Sequence, residues 1–310
     1  VGARALEADD DDDIATYPPT DAWAKRALMD AAGFDAATAK AKADPDAYWR
    51  AVGERLTWSK PFTTVKDVNF DAADFRIKWF ADGELNVSVN CLDRHLPGRA
   101  DETAIIWESD DPGMFATFTY REVHAEVCRM ANVLKGMGVA KGDRVTIYLP
   151  MIPQAAIAML ACARIGAVHS VIFGGFSSES IKDRTEDCEA SMIITADGGY
   201  RRGKVVPLKD NVDSALASGA PSVKKVIVLR RTNSTVHMQH GRDVFWHEEV
   251  EKVNAKCPAK GFDSEHPLFL LYTSGSTGKP KGILHTSAGY LTGTYSTSKY
   301  VFDLRDEDVY

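Results

Sequence analysis

Between Thr119 and Leu229 the chain alternates helix-type and strand-type patterning without a break, and this rhythm restricts the fold more than any other feature. Thr119 followed by Glu122 is a capping-box signature, opening a helix that ends near Gly136 or Gly138. GDRVTIYLP (142–150) reads as a turn and then a strand, 153–165 as helix and 167–173 as strand. A Gly-Gly pair follows, then a helix from Ser177 or Ser178, the strand SMIITA (191–196), a helix near 207–217 and the strand KKVIVL (224–229). Successive βα units of this kind imply an α/β fold, with a largely parallel sheet covered on both faces and right-handed crossovers.

The remainder of the 310 residues is organised around that unit. EADDDDD (7–13) repels itself in any compact state, so residues 1–16 are expected to be an acidic, disordered tail. DAWAKRALMDAAGF (21–34) suits one helix with Trp23, Ala27 and Leu28 on a face and Gly33 near its end, and DPDAYWRAVGERLTW (44–58) suits another. Residues 59–117 are mixed and loop-rich. The expected division is therefore a helical and loop-rich extension over 17–117 and a partial α/β domain over 118–310.

Composition excludes several functions. The net charge of −7 disfavours general nucleic-acid binding. Cys91, Cys128, Cys162, Cys188 and Cys257 are widely spaced and form no C-x-x-C pair, which suits reduced, mostly buried thiols. The acidic start has no apolar core of a signal peptide. The most apolar window (155–173) is cut by Arg164, Gly166 and His169 and reads as helix then strand, so no membrane span is expected. A cytoplasmic protein is the resulting expectation, with an organellar location left open.

TSGSTGKPKG (273–282) follows the apolar run PLFLLY. Its glycines let several backbone N–H groups converge, its hydroxyls donate to anionic oxygens, and Lys279 and Lys281 supply positive charge. Such a loop suits a triphosphate or pyrophosphate. It is not a Walker A loop, because Pro280 follows Lys279, removes a donor and disfavours the immediate helix. A short strand, ILH (283–285), comes next and helix resumes near Ser287, so the loop joins two strands. Composition alone also fits a flexible Gly/Ser hairpin with two solvated lysines.

This stretch resembles the signature loop of the adenylate-forming superfamily. In that family the loop wraps the β- and γ-phosphates of ATP and then pyrophosphate. Carried over, Thr273, Ser274, Gly275, Ser276, Thr277 and Gly278 form the cradle, and Lys279 and Lys281 are its cationic partners. IKWFADGELNVSVNCLDRHL (77–96), DPDAYWRAVGERLTWSKPF (44–62) and VHSVIFGGFSSESIKDR (168–184) narrow the resemblance to AMP-forming acetyl-CoA synthetases, over about residues 17–310. By itself, 77–96 reads as a structural segment packing Trp79, Leu85 and Leu92. The stretch 231–247 is the least family-like. The resemblance implies the N-terminal domain fold of adenylate-forming enzymes, incomplete here.

Two further stretches acquire roles through the resemblance. Composition alone favours a solvated loop for Tyr200-Arg201-Arg202-Gly203-Lys204, although its place after a strand also fits an anionic ligand at a sheet edge. In acetyl-CoA synthetases the matching positions bind the nucleotide end of coenzyme A, which assigns that role to Arg201, Arg202, Gly203 and Lys204. Relatives commonly carry Arg at the last position, so Lys204 keeps the charge without the guanidinium fork. Phe173-Gly174-Gly175 is explained equally well as a tight strand-to-helix turn. In the family that turn lies beside the adenine of coenzyme A.

The implied reaction has two steps: acetate and ATP give acetyl-adenylate and pyrophosphate, and coenzyme A then takes the acetyl group. Partners are thus acetate, ATP and coenzyme A, with magnesium accompanying ATP and no ligand assigned to it; oligomeric state is left open. Catalytic residues are expected beyond Tyr310, and the 310-residue chain is expected to be inactive or nearly so, with uncovered sheet edges favouring association. The alternatives are a propionyl-CoA or other short-chain acyl-CoA synthetase, and a module that only binds coenzyme A or pyrophosphate. His237, His240 and His247 are too irregularly spaced for a metal site, His285 reads as a packed strand residue, and no Ser-His-Asp arrangement is identifiable.

Overall fold

The computed structural model describes residues 17–110, 113–273 and 280–310. The N-terminal elements are short: helices α1 (Asp21–Arg26), α2 (Ala31–Ala43) and α3 (Pro45–Gly53), strand β1 (Trp58–Lys60), the hairpin β2 (Lys66–Asn69) and β3 (Arg76–Trp79), β4 (Glu84–Leu85), α4 (Val87–Cys91), a 3-10 turn at Asp93–His95, α5 (Leu96–Arg99), and the hairpin β5 (Thr103–Glu108) and β6 (Phe115–Thr119). The single helix expected from Asp21 is two helices. Asp30 accepts the Gly33 N–H at 2.7 Å and caps a new N-terminus, and in the break the Leu28 N–H donates to Asp303. The Trp23 face is not buried either: Trp23 is 58% exposed. The helix expected over 44–58 stops at Gly53, whose carbonyl accepts the Trp58 indole N–H at 2.8 Å as the chain folds back into β1.

The alternating stretch forms as the patterning predicts. α6 (Tyr120–Gly136) opens with the capping box: Thr119 Oγ1 accepts the Glu122 N–H, and Glu122 accepts the Thr119 N–H at 2.8 Å. There follow β7 (Arg144–Tyr148), α7 (Pro153–Ile165), β8 (Val168–Val171), α8 (Ser178–Asp187), β9 (Met192–Ala196), the small hairpin β10 (Gly199–Arg201) and β11 (Lys204–Val206), α9 (Leu208–Ser218), β12 (Lys225–Leu229), β13 (Asp243–Phe245), α10 (Trp246–Glu251), β14 (Phe262–Asp263), β15 (Pro267–Thr273), β16 (Lys281–Thr286) and α11 (Ser287–Tyr300).

Seven strands make the main sheet in the order β13-β12-β9-β7-β8-β15-β16, parallel throughout except for the antiparallel pair β15–β16. Helices α6 and α7 pack together, as do α8 and α9. The central strands are buried on both faces, which is why β7, β9 and β12 read as apolar runs. The chain runs from β7 to β8 on one side and then crosses back to β9 on the other. The order therefore reverses between β7 and β9, where open parallel sheets form a crevice at their carboxyl ends.

The main core joins α6, α7, α8 and α9 to the central strands and includes Leu92. A second cluster of Leu56, Phe62, Val65, Phe80, Leu85 and Ala288 packs with Trp58 and Trp79, as expected for 77–96. The two regions are locked by Arg164 of α7. Its guanidinium is buried and donates to both oxygens of Asp93 at 2.8 and 2.9 Å, to Ser88, and to the Cys257 carbonyl at 2.6 Å. A charge that deep is tolerable because each of its nitrogens has a partner. The five cysteines are free thiols. Among the described residues, no helix is long and apolar enough to cross a membrane.

Candidate functional site

A cavity of about 300 Å³ lies at the β7/β9 reversal. Its walls come from the carboxyl ends of several strands: Leu149–Ile152 after β7, Phe173–Gly175 after β8, Gly199–Arg202 after β9, and Arg231 after β12, with Trp107 and Glu108 of β5 and then Ser109 and Asp110 closing one side. Five of the seven residues assigned to coenzyme A from sequence therefore meet here: Phe173, Gly174, Gly175, Arg201 and Arg202. Gly203 and Lys204 do not line the cavity. Gly203 completes the β10–β11 turn, in which Arg202 and Gly203 both have positive φ (51° and 72°), and Lys204 pairs with Arg201 across the hairpin.

The glycine turn has a steric purpose. A Cβ on Gly175 would collide with the Arg201 guanidinium and come within 2.9 Å of the Phe173 ring, and one on Gly174 would approach the Leu149 carbonyl at 3.2 Å. Without side chains there, Arg201 lies across the turn with its guanidinium 5.2 Å from the Phe173 ring centre. Tyr148, fully buried at the end of β7, holds the turn from beneath: its hydroxyl donates to the Phe176 carbonyl at 2.8 Å and accepts from Asn211 at 3.3 Å.

Sequence reasoning missed two residues of this site. Asp197, 1% exposed, sits between β9 and β10. Its carboxylate accepts four backbone N–H groups, from Gly198 and Arg231 at 2.7 Å, Thr232 at 3.0 Å and Ser234 at 3.1 Å. It thus ties the hairpin to the loop after β12 and fixes Arg231. The Arg231 guanidinium lies near two rings, 5.1 Å from Trp107 and 5.0 Å from Tyr200, and donates to Ser109 Oγ at 3.0 Å. An isolated aspartate and an arginine opening an irregular stretch carry no spacing signal, so nothing in the sequence singled them out.

The phosphate-type loop leaves the same sheet edge. β15 is parallel to β8 with Phe269 opposite His169 and Leu270 opposite Ser170, so Thr273 emerges at the carboxyl edge near the glycine turn. Ser274, Gly275, Ser276, Thr277, Gly278 and Lys279 lie outside the described residues. Thr273 and Lys281 face each other as the last pair of β15–β16, so the loop does join two strands. Its base is anchored by Tyr272, whose hydroxyl donates to Asp187 at 2.6 Å beneath a hollow of about 340 Å³ that Arg184 and Pro280 also line. Burial and the neighbouring carboxylate hold the Tyr272 phenol protonated well above its ordinary range.

Of the histidines singled out in the sequence, two take part in packing or main-chain contacts. His285 stacks on Phe269 with ring centres 4.4 Å apart, and the His237 carbonyl accepts from the buried Lys209 at 2.8 Å. Among the described residues, no group of three or more His, Cys, Asp or Glu side chains could hold a metal ion.

Comparisons with known proteins show which family the chain resembles. The family profile "AMP-binding enzyme" matches residues 92–310, and "Acetyl-coenzyme A synthetase N-terminus" matches residues 34–91. The chain is 54% identical over 291 residues to the acetyl-coenzyme A synthetase of Methylorubrum populi, covering 94% of this chain and 45% of that protein. It is 55% identical over 294 residues to that of Parvibaculum lavamentivorans, covering 95% and 45%. The chain therefore spans less than half the length of these curated relatives. Among solved structures, the acetoacetyl-CoA synthetase from Streptomyces lividans superposes with a TM-score of 0.76 at 29% identity, over 84% of this chain and 39% of that one.

Proposed function

The chain belongs to the family of AMP-binding enzymes, and from that premise we propose that it carries the nucleotide- and coenzyme-binding part of an AMP-forming acetate–CoA ligase. The observation that carries the reading is the meeting of Phe173, Gly174, Gly175, Arg201 and Arg202 in one cavity at the strand-order reversal. The likeness to acetyl-coenzyme A synthetases over 94% of the chain supports acetate as the acid.

In the first step the acetate carboxylate attacks the α-phosphorus of ATP, forming acetyl-adenylate and releasing pyrophosphate. The work asked of the protein is alignment and charge neutralisation. In this reading Thr273 to Gly278 hold the departing phosphates, and Lys279 and Lys281 neutralise them. Magnesium arrives as the ATP complex, with no residue of the chain assigned to it. In the second step the thiol of coenzyme A attacks the activated acyl carbon and AMP leaves. The cavity would hold the nucleotide end of coenzyme A, with adenine against the Phe173–Gly175 turn and the 3′-phosphate on Arg201 and Lys204. Lys204, outside the cavity lining, serves from the hairpin rim as a mobile point charge.

Calorimetric titration of the chain with coenzyme A and with dephospho-coenzyme A tests the assignment. Coenzyme A is expected to bind at least about tenfold tighter, the lower end of the worth of one charged hydrogen bond. Equal affinity for the two compounds would remove Arg201 and Lys204 from the 3′-phosphate.

A further inference from the structure

We propose that Arg231 is a second phosphate-binding residue of the cavity, acting from the loop after β12. The inference rests on the coenzyme A reading above and extends it to a residue in the least family-like stretch of the chain. Tyr200 and Arg201 are successive residues of β10 and so project to opposite faces of the hairpin. Arg201 meets Phe173 on one face, and Tyr200 meets Arg231 on the other. Arg201 and Arg231 both line the same cavity. A ligand in the cavity therefore meets one cation from the hairpin and another from the loop after β12.

Three features mark Arg231 as built for a ligand. Its main chain is fixed by a carboxylate that is 1% exposed, at 2.7 Å. Its guanidinium carbon lies 5.1 Å from the Trp107 ring centre and 5.0 Å from that of Tyr200, contacts that hold the group while leaving N–H donors to recognise an acceptor. Among the described residues no carboxylate forms an ion pair with its side chain, whose one hydrogen bond is to Ser109. A buried structural arginine in this chain looks different: Arg164 has carboxylate and carbonyl partners on every nitrogen. Glu108 and Asp110 also line the cavity and repel an anion, so a phosphate held there must sit on the arginines and away from these carboxylates. The chemistry that fits a guanidinium beside aromatic rings is a phosphate carried next to a planar base.

The test is calorimetric titration of the parent chain, Arg231→Met and Arg201→Met with coenzyme A and dephospho-coenzyme A, each checked by thermal melting. Arg231→Met keeps the backbone N–H that Asp197 accepts, so the fold is expected to survive. Affinity for coenzyme A should fall at least tenfold, and Arg231→Lys should recover only part of it because the planar fork is lost. Loss toward both compounds assigns the 5′-diphosphate to Arg231; loss toward coenzyme A alone assigns the 3′-phosphate. If Arg231→Met and Arg231→Lys stay within threefold of the parent while Arg201→Met weakens binding, the inference is overturned and the cavity reading stands. If the parent does not bind coenzyme A, or Arg201→Met and Arg231→Met both bind as the parent does, the cavity reading itself falls.

Discussion

Gly175 shows how a single missing methyl can govern a site. Its φ does not require glycine; the space does, because the Arg201 guanidinium and the Phe173 ring occupy the place of a Cβ. Gly175→Ala is therefore expected to displace Arg201 and weaken coenzyme A binding about tenfold, the loss of one charged hydrogen bond. The thermal midpoint should change little, since the groups that must move are the end of the Arg201 side chain and the half-exposed Phe173 ring, not the core. Unchanged affinity in a titration of this variant would show that Arg201 does not need the turn. The sequence displayed Phe173, Gly174 and Gly175 as a short motif with two explanations, and the structure places this tight turn in the wall of the cavity.

At the scale of elements, local signals and tertiary demands can be separated. The Thr119–Glu122 capping box was legible because both halves lie within one turn of helix, and it forms with α6. Thr119→Ala should cost about 1 kcal/mol, lowering the melting midpoint by roughly 2–4 °C for a domain of this size. Retention of the parent midpoint would mean that packing of α6 alone fixes its start. The break between α1 and α2 was not legible, because one of its determinants is Asp303, 275 residues away. The β10–β11 hairpin escaped notice for a related reason. Its strands are only three residues each, and its charged turn reads as a solvated loop until the cavity beside it is seen.

At the scale of the molecule, the network around Arg164 joins the extension to the α/β unit and responds to pH. His124 of α6 completes it, with Nε2 3.3 Å from Asp93 Oδ1 and 3.7 Å from Cys128 Sγ. The Asp93 carboxylate, and after it Cys128, raise the imidazole pKa to about 9, while burial works against the rise; the Arg164 guanidinium lies 3.3 Å from the same ring nitrogen. Asp93 is held well below the usual carboxylate range; burial opposes this and is outweighed by Arg164 and His124. A raised histidine pKa contributes stability fully below its unfolded value near 6.5, and that contribution fades as pH climbs through about 9. Asp93, with its pKa depressed, contributes above the unfolded carboxylate value and loses that contribution in acid. Between pH 6.5 and 9.5 the melting midpoint should fall by a few degrees, and His124→Gln should flatten that slope. Parallel pH profiles for the two proteins would remove His124 from the linkage.

The sequence by itself determined the order of βα units, the ends of most helices in that stretch, and the Gly-, hydroxyl- and Lys-rich composition of the loop after β15. These follow from periodicity, caps and backbone freedom, each confined to a few neighbouring residues. Only the tertiary structure decided that β9 lies beside β7 rather than β8, because strand order is set by how crossovers pack. That choice brings residues 107, 149–152, 173–175, 199–202 and 231 around one cavity. It also gave Asp197 four backbone donors and placed Arg231 beside two aromatic rings. Contacts between distant segments leave no periodic trace in a single chain, so the residues that complete the site emerge only once the sheet is assembled.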